Sequence, residues 1–442
     1  MLPMEFAMLS LKDNETLCRV GRGTAMGELM RQYWIPAVRS DELPAPDCPP
    51  MRLRLLGENL IAFRATSGAV GIVDNACPHR GASLFFGRNE EEGLRCVYHG
   101  WKFDVTGACV DMPSEPAESN FRNKVRVGAH PCIERSGIVW TYLGDREVPP
   151  PLPELEANML PDGEAMVGKT LRHCNWFQAL EGDIDTGHAG FLHYGLADPE
   201  ILPKGTFDYY AVRDRDPKFV VETTDFGTSY GAYRPAEDGY YYWRIAHFLF
   251  PFYTMIPTGF LGEEVRFGAW VPVDDEHVMS WRVSSRRPMR PGAGAPSRSG
   301  IPGAQASGGM LPDTTDWLGK FRLAARMEND YLIDREEQRS ASFTGIKGIF
   351  TQDQAVTESM GPIYRREHEH LGTSDAMVIR TRRRMIQAAN ALASEGVIPP
   401  GVEDASLYRR RSGGIIFPRD VDAMAVTRDR EQKGIVSAQP VI

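Results

Sequence analysis

The stretch CPHRGASLFFGRNEEEGLRCVYHGW, Cys77 to Trp101, decides how the rest of the chain is read. Cys77 and His79 sit in one short loop. Sixteen residues later Cys96 and His99 sit in a second, so the pattern is C-x-H-x16-C-x2-H. Each loop offers one thiolate and one imidazole. That suits a two-iron, two-sulfur cluster with one iron held by Cys77 and Cys96 and the other by His79 and His99. Neutral imidazoles in place of two thiolates raise the reduction potential above that of an all-cysteine cluster. A structural zinc site also takes two Cys and two His, but zinc fingers pair Cys with Cys and His with His. Here each loop mixes them, and the zinc reading falls behind.

Around these loops, from Trp34 to about Asp145, short runs of strand character such as MRLRLLGENLIAFRA and SGIVWTYLG are broken by Gly, Pro and Asn. They predict a small β domain, and the prolines of Pro149–Pro153 mark its end. Upstream, Met26–Tyr33 has helical spacing. Gly21, Gly23 and Gly27 imitate a dinucleotide loop, but the spacing is wrong and no strand precedes them, which leaves a turn before a helix.

Residues 175–193 read NWFQALEGDIDTGHAGFLH. A helix from about Trp176 to Leu192 puts Asp185 and His188, three apart, on one face. His193 follows beyond Gly190, where the helix loosens or turns. Two imidazoles and one carboxylate on one side of ferrous iron leave positions open for O2. Taken alone, such residues read as a hydrogen-bonded helix face. The upstream motif reverses that reading, because a mononuclear iron needs single electrons and the cluster delivers them singly. Glu181 and Asp183 compete with Asp185, but only Asp185 has the two-residue gap to His188.

Beyond this point lie strand-like runs, YYYWRIAHFLFPFYTMI and EVRFGAWVPV. Pro288–Pro312, dense in Gly, Pro, Ser and Ala, reads as a long surface loop. Helices are predicted at roughly Thr315–Arg339 and at Ser374–Glu395, the second capped by Thr373 or Ser374 with Pro399 beyond its end. The expected division is residues 1–155 with the cluster and an N-terminal helix, then 156–442.

A net charge of −9 over 442 residues argues against nucleic acid as a partner. No apolar run reaches 18 residues, so no membrane span is expected. Met1–Met8 contains Glu5 and lacks the basic and apolar regions of a signal peptide. Seven cysteines without such a signal favour reduced thiols and a cytoplasmic protein. Cys109, Cys132 and Cys174 read as packing residues.

These motifs, with the segment GIFTQDQAVTESMGPIYRREHEHLGTSD, make the chain resemble the α subunit of Rieske ring-hydroxylating oxygenases. The likeness is to the phthalate 4,5-dioxygenase group and its aromatic O-demethylase relatives, and it runs from about Leu9 to Pro418. It implies an α+β fold: a β-rich Rieske [2Fe-2S] domain, then a catalytic domain whose central antiparallel sheet is covered by helices. It also implies a mononuclear Fe(II) held by His188, His193 and Asp353, with Glu358 as the competitor for the carboxylate. Asp185 would bridge His188 to His99 of a neighbouring subunit in a homotrimer or a trimer-of-dimers hexamer. The implied partners are a reductase fed by NADH or NADPH, O2 and a small aromatic substrate. Arg244 and His247 are the candidate substrate residues, with Arg213 and Arg215 behind them, since a guanidinium can clamp a carboxylate. Ring hydroxylation of a carboxylated aromatic is the reading adopted. O-demethylation of a methoxylated acid, with release of formaldehyde, stays open. A Rieske electron carrier without oxygenase activity needs only about the first 150 residues and has no use for the second motif.

Overall fold

The computed structural model describes residues 8–116, 118–286, 301–305 and 309–432, with side chains to 428. Two β units make up its framework. In the first, Met51–Leu55, Glu58–Arg64 and Val70–Asp74 form an antiparallel meander that takes Ala129–His130 as its fourth strand. A second sheet of four very short strands, Arg88–Glu90, Gly93–Arg95, Lys102–Phe103 and Cys109–Asp111, stacks beside it. Leu84, Leu94, Trp101 and Phe103 fill a small core between them that also takes in Cys77 and Cys96. A three-stranded sheet, Trp34–Arg39 with Ile138–Tyr142 and Cys132–Arg135, joins this unit to the larger one.

The second unit is an eight-stranded antiparallel sheet. Its strands run in the order Ala165–Arg172, Val278–Ser285, Arg266–Pro272, Tyr253–Met255, Tyr240–Leu249, Gly227–Pro235 and Lys218–Thr223, and Gly413–Pro418 also pairs with Tyr240–Leu249. Tyr240–Leu249 is buried from Tyr242 onward on both faces, which explains its run of aromatic and aliphatic residues.

The α-helices are α1 Leu11–Cys18, α2 Ala25–Met30, α3 Trp176–Ile184, α4 Ala189–Leu192, α5 Phe207–Arg213, α6 Arg335–Ser340, α7 Ile349–Ser359, α8 Ala376–Glu395 and α9 Ala423–Gln432. Helix α8 buries Met377, Thr381, Met385 and Ala389, four residues apart along one stripe, and ends at Gly396 in the left-handed region. Thr24 caps α2, so the glycines before it do lead into a helix. Helices α1 and α2 pack on α8, against the larger unit.

One sequence expectation fails here. The helix predicted from Thr315 to Arg339 is absent: the segment holds only a 3-10 turn, Met327–Leu332, and then α6. Phe321, Asp330, Tyr331 and Leu332 all adopt positive φ, which a right-handed helix excludes. What organises the segment is long-range contact. Arg52 of the small unit donates to the Thr315 carbonyl at 2.7 Å and lies beside Trp317. Glu42 is held by Lys169 at 2.8 Å and Lys320 at 3.3 Å, which ties the two units together. The loop predicted at Pro288–Pro312 lies mostly outside the described residues. Where it is described it is mixed: Ile301 and Ala304 are buried, while Gln305, Gly309, Met310 and Pro312 are exposed.

Candidate metal centres

The two loops quoted at the outset fold alike. The Cys77 amide donates to the Ala82 carbonyl and the Gly81 amide returns to the Cys77 carbonyl, both at 2.8 Å. The Cys96 amide donates to Trp101 at 2.8 Å, and the Gly100 amide to Cys96 at 3.0 Å. Each turn closes on a glycine with φ near +76°, at 75° for Gly81 and 78° for Gly100, where a side chain would be strained. Both thiols are 2% exposed, and the imidazoles of His79 and His99 meet edge to face with centroids 4.3 Å apart. Burial pushes the Cys77 thiol up to about 11, beside the Cys96 thiol. His79 Nδ1 is buried and has no hydrogen-bond partner among the described residues. A buried nitrogen without a partner is costly. Two facing thiols, two facing imidazoles and that free nitrogen fit a cluster with mixed Cys and His ligands. Trp101 stacks flat on His79, centroids 4.3 Å apart, and is itself held by Ser114 at 3.0 Å.

At the second motif the expected single helix is broken in two, α3 and α4. Asp185 causes the break: its carboxylate accepts the Gly187 amide at 2.6 Å and the His188 amide at 3.3 Å, a turn that competes with helical bonding. Asp185 and His188 therefore meet across a tight turn and not along a helix face, with Asp185 Oδ2 3.2 Å from His188 Nδ1. Helix α7 brings Asp353 to the same point. Its Oδ1 lies 3.2 Å from His193 Nε2 and 3.6 Å from His188 Nε2. One ligand atom from each of the three residues falls within 4.8 Å of the others, a spacing that fits a single metal ion. Burial alone would raise the Asp353 carboxyl, but the hydrogen bond and charge of His193, helped by His188 and Arg172, hold it at about 2. Burial likewise opposes a charged His188, yet Asp185 raises it above the ordinary histidine range. Glu358 faces elsewhere: it accepts the His173 amide at 2.7 Å, Gln354 at 2.9 Å and the Tyr331 hydroxyl. Glu181 is paired with Arg366 and Arg382, and Asp183 is bound by Thr254, Trp270 and Arg282.

The three convergent residues divide two clefts. The inner pocket, about 780 Å³ with its mouth, is walled by Phe207, Ile256, Pro257, Ile349 and Phe350, with Arg244 on one side. The outer cleft opens past Leu192, Val356 and Met360, and Asp185, His188 and Asp353 line both. Arg244 is 7% exposed. Its guanidinium lies 3.8 Å from the Phe207 ring centroid and donates to Thr186 Oγ1 and the Pro257 carbonyl. No carboxylate among the described residues pairs with it.

His247 was expected beside Arg244 and is not there. Side chains alternate along a strand, so residues three apart point to opposite faces. His247 is buried against Ser229 Oγ at 2.7 Å and the Arg411 carbonyl at 3.3 Å, and burial pushes it down to about 3. Arg213 and Arg215 are exposed and lie outside the pocket wall. Sequence reasoning missed Phe207 and Thr186, whose place beside Arg244 depends on helix packing, and Gln352, an unremarkable polar residue until α7 is set against His193.

Two family models match the chain. One, described as LigXa C-terminal domain like, matches residues 141–422, and the Rieske [2Fe-2S] domain matches residues 33–128. The chain is 48% identical over 420 residues to the 3-chlorobenzoate-3,4-dioxygenase oxygenase subunit of Comamonas testosteroni, covering 94% of this chain and 97% of that one. It is 36% identical over 430 residues to the phthalate 4,5-dioxygenase oxygenase subunit of Pseudomonas putida, covering 94% of each. Among solved structures, dicamba monooxygenase bound to 3,6-dichlorosalicylic acid shares the fold with a TM-score of 0.55. Its sequence identity is 19%, with 83% of this chain and 99% of that one covered. Among the described residues no helix is long and apolar enough to cross a membrane.

Proposed function

The chain belongs to the Rieske non-haem iron oxygenases as a terminal oxygenase subunit, and from that premise we propose that it hydroxylates the ring of a carboxylated aromatic compound. The carrying observation is Arg244, a buried guanidinium with no carboxylate partner among the described residues, in the pocket where His188, His193 and Asp353 converge. A cation buried without a counter-ion is costly, and a substrate carboxylate would offset that cost. The 48% identity to a chlorobenzoate dioxygenase subunit over nearly its full length supports the same substrate class.

In this reading Cys77, His79, Cys96 and His99 hold the cluster, and His188, His193 and Asp353 hold the iron. When bound, these groups supply single electrons and a centre for O2 activation. The chain does the rest. Arg244 clamps the carboxylate and so fixes which edge of the ring faces the metal ligands. Phe207 lies under the guanidinium and widens the apolar wall that Ile256, Pro257, Ile349 and Phe350 continue, and water is kept off the ring. Both atoms of O2 enter the product as hydroxyls, with two electrons and two protons completing the balance.

The oxygenase subunits of Rieske systems work with reductase or ferredoxin partners, and here we assign a reductase drawing on NADH or NADPH. Asp185 has one side on His188 and the other in the outer cleft, where His99 of a neighbouring copy would meet it in a trimer or hexamer. Val97 and Tyr98, beside His99, are 58% and 55% exposed and available for that contact. The cysteines are all free, in keeping with a cytoplasmic protein.

The test is product analysis after chemically reduced protein meets O2 and a panel of aromatic acids, with and without methoxy groups. A cis-diol from a carboxylated ring without formaldehyde is expected. Formaldehyde in step with substrate loss would assign the protein to O-demethylation instead.

A further inference from the structure

We infer that Gln352 is a positioning residue for the iron site, selecting the tautomer in which His193 can bind metal. The inference rests on the ligand assignment proposed above. Gln352 is 1% exposed on α7, immediately before Asp353. Its Oε1 lies 2.8 Å from His193 Nδ1. Its Nε2 faces two carbonyl oxygens, Ile346 at 2.8 Å and Gly303 at 3.2 Å.

Those two carbonyls settle which way round the amide sits. Reversed, Oε1 would face two other oxygens at hydrogen-bond distance with no proton between them. The amide nitrogen must donate there, so the amide oxygen faces His193 and can only accept. His193 Nδ1 therefore carries a proton in either charge state of the ring, which leaves Nε2, the atom 3.2 Å from Asp353 Oδ1, as the one that gives up its proton to a metal. The ring is oriented for metal before any metal arrives.

The two imidazoles are thus oriented by different partners. His188 has the Asp185 carboxylate, an anion. His193 has a neutral amide, locked in place by backbone. The lock has a second anchor, because the Gly303 carbonyl also accepts the Gly348 amide at 2.8 Å. Gly303 itself has a φ of +74°, and a Cβ there would press on Ser342 at 3.1 Å. The short stretch 301–305, buried at Ile301, Gly303 and Ala304, therefore supports the metal site at one remove, through Gln352.

The experiment measures Co(II) affinity by chelator competition, in protein that keeps its cluster and has had the mononuclear site stripped. Gln352→Met removes the acceptor and both donors. It should weaken Co(II) binding 10- to 100-fold, the usual effect of losing an imidazole's hydrogen-bond partner. Gln352→Glu, protonated where it faces those two carbonyls, keeps an acceptor for His193 and exchanges the amide donors for a single O–H, and should stay within threefold of the parent. Gln354→Met, at an equally buried glutamine that does not touch His193, should leave affinity unchanged. If Gln352 served only to tie backbone together, Glu and Met would behave alike, and that result overturns the inference. Should Gln352→Met lose its cluster, Gln352→Glu decides alone: within threefold supports the inference, a larger loss overturns it. A parent that takes up no Co(II) at this site sinks the ligand assignment itself, which is a different failure.

Discussion

Replacing Arg244 with methionine removes the charge and leaves most of the apolar stem. A guanidinium has five N–H donors, and three of these are already used, on Thr186 Oγ1 and twice on the Pro257 carbonyl. One hydrogen on each terminal nitrogen remains, which is the pair needed for a bidentate carboxylate. Each charge-assisted hydrogen bond contributes ~1.5–3 kcal/mol. The Met variant no longer buries an uncompensated cation when the pocket is empty, which offsets part of that loss. A net penalty of about 3 kcal/mol, roughly 100-fold in kcat/KM, is the expectation. The assay compares an aromatic carboxylate with its neutral methyl ester in parent and Arg244→Met. The carboxylate should lose about 100-fold and the ester less than threefold. Equal losses for acid and ester would refute the clamp, because they would mean that the arginine only shapes the pocket. Arg244→Lys should recover little, since one ammonium cannot copy the planar fork.

Asp185→Asn keeps an acceptor for the Gly187 amide and removes the negative charge beside His188, so iron and cluster should both stay bound while turnover falls ~100-fold; iron analysis and steady-state rates with the reductase check this, and normal turnover would refute it. Glu42→Gln should destabilise the junction between the two units by ~3–5 kcal/mol, because it strands the buried Lys169 ammonium. Burial alone would raise the Glu42 carboxyl, but Lys169 outweighs it and holds it below its ordinary 4.5. Its contribution is therefore complete above that value and fades as pH falls through the lower folded one. Thermal unfolding should show a constant gap between parent and variant from neutral pH to about 5 and a closing gap below 4.5; a gap that widens on acidification would contradict the sign.

The cluster loops were legible because ligand chemistry writes itself into spacing: a thiolate and an imidazole must leave one tight turn together, at Cys77 and His79 and again at Cys96 and His99. Asp353 was not legible in that way. It stands 160 residues after His193 and reaches it only because α7 packs beside α3, so only the resemblance pointed to it. His247 was placed with Arg244 in one strand without regard to the strand's alternation. Three residues make neighbours on a helix but opposites on a strand, and Tyr240–Leu249 is a strand. The helix expected after Thr315 failed for another reason. Trp317 and Lys320 are claimed by Arg52 and Glu42, distant partners that local propensity cannot register. Asp185 is the instructive middle case. The pairing with His188 was foreseen, but the carboxylate that makes the pair also breaks the helix meant to present it.

A single turnover under 18O2 reaches the central claim most directly. Reduced protein carrying cluster and iron is mixed with an aromatic carboxylate, and the label in the product is read by mass spectrometry. Two 18O atoms per molecule of diol are predicted from the parent, and none from His193→Ala, which removes a proposed iron ligand and should leave the cluster intact. Unlabelled product, or equal labelling from His193→Ala, would mean that oxygen is not activated where His188, His193 and Asp353 meet.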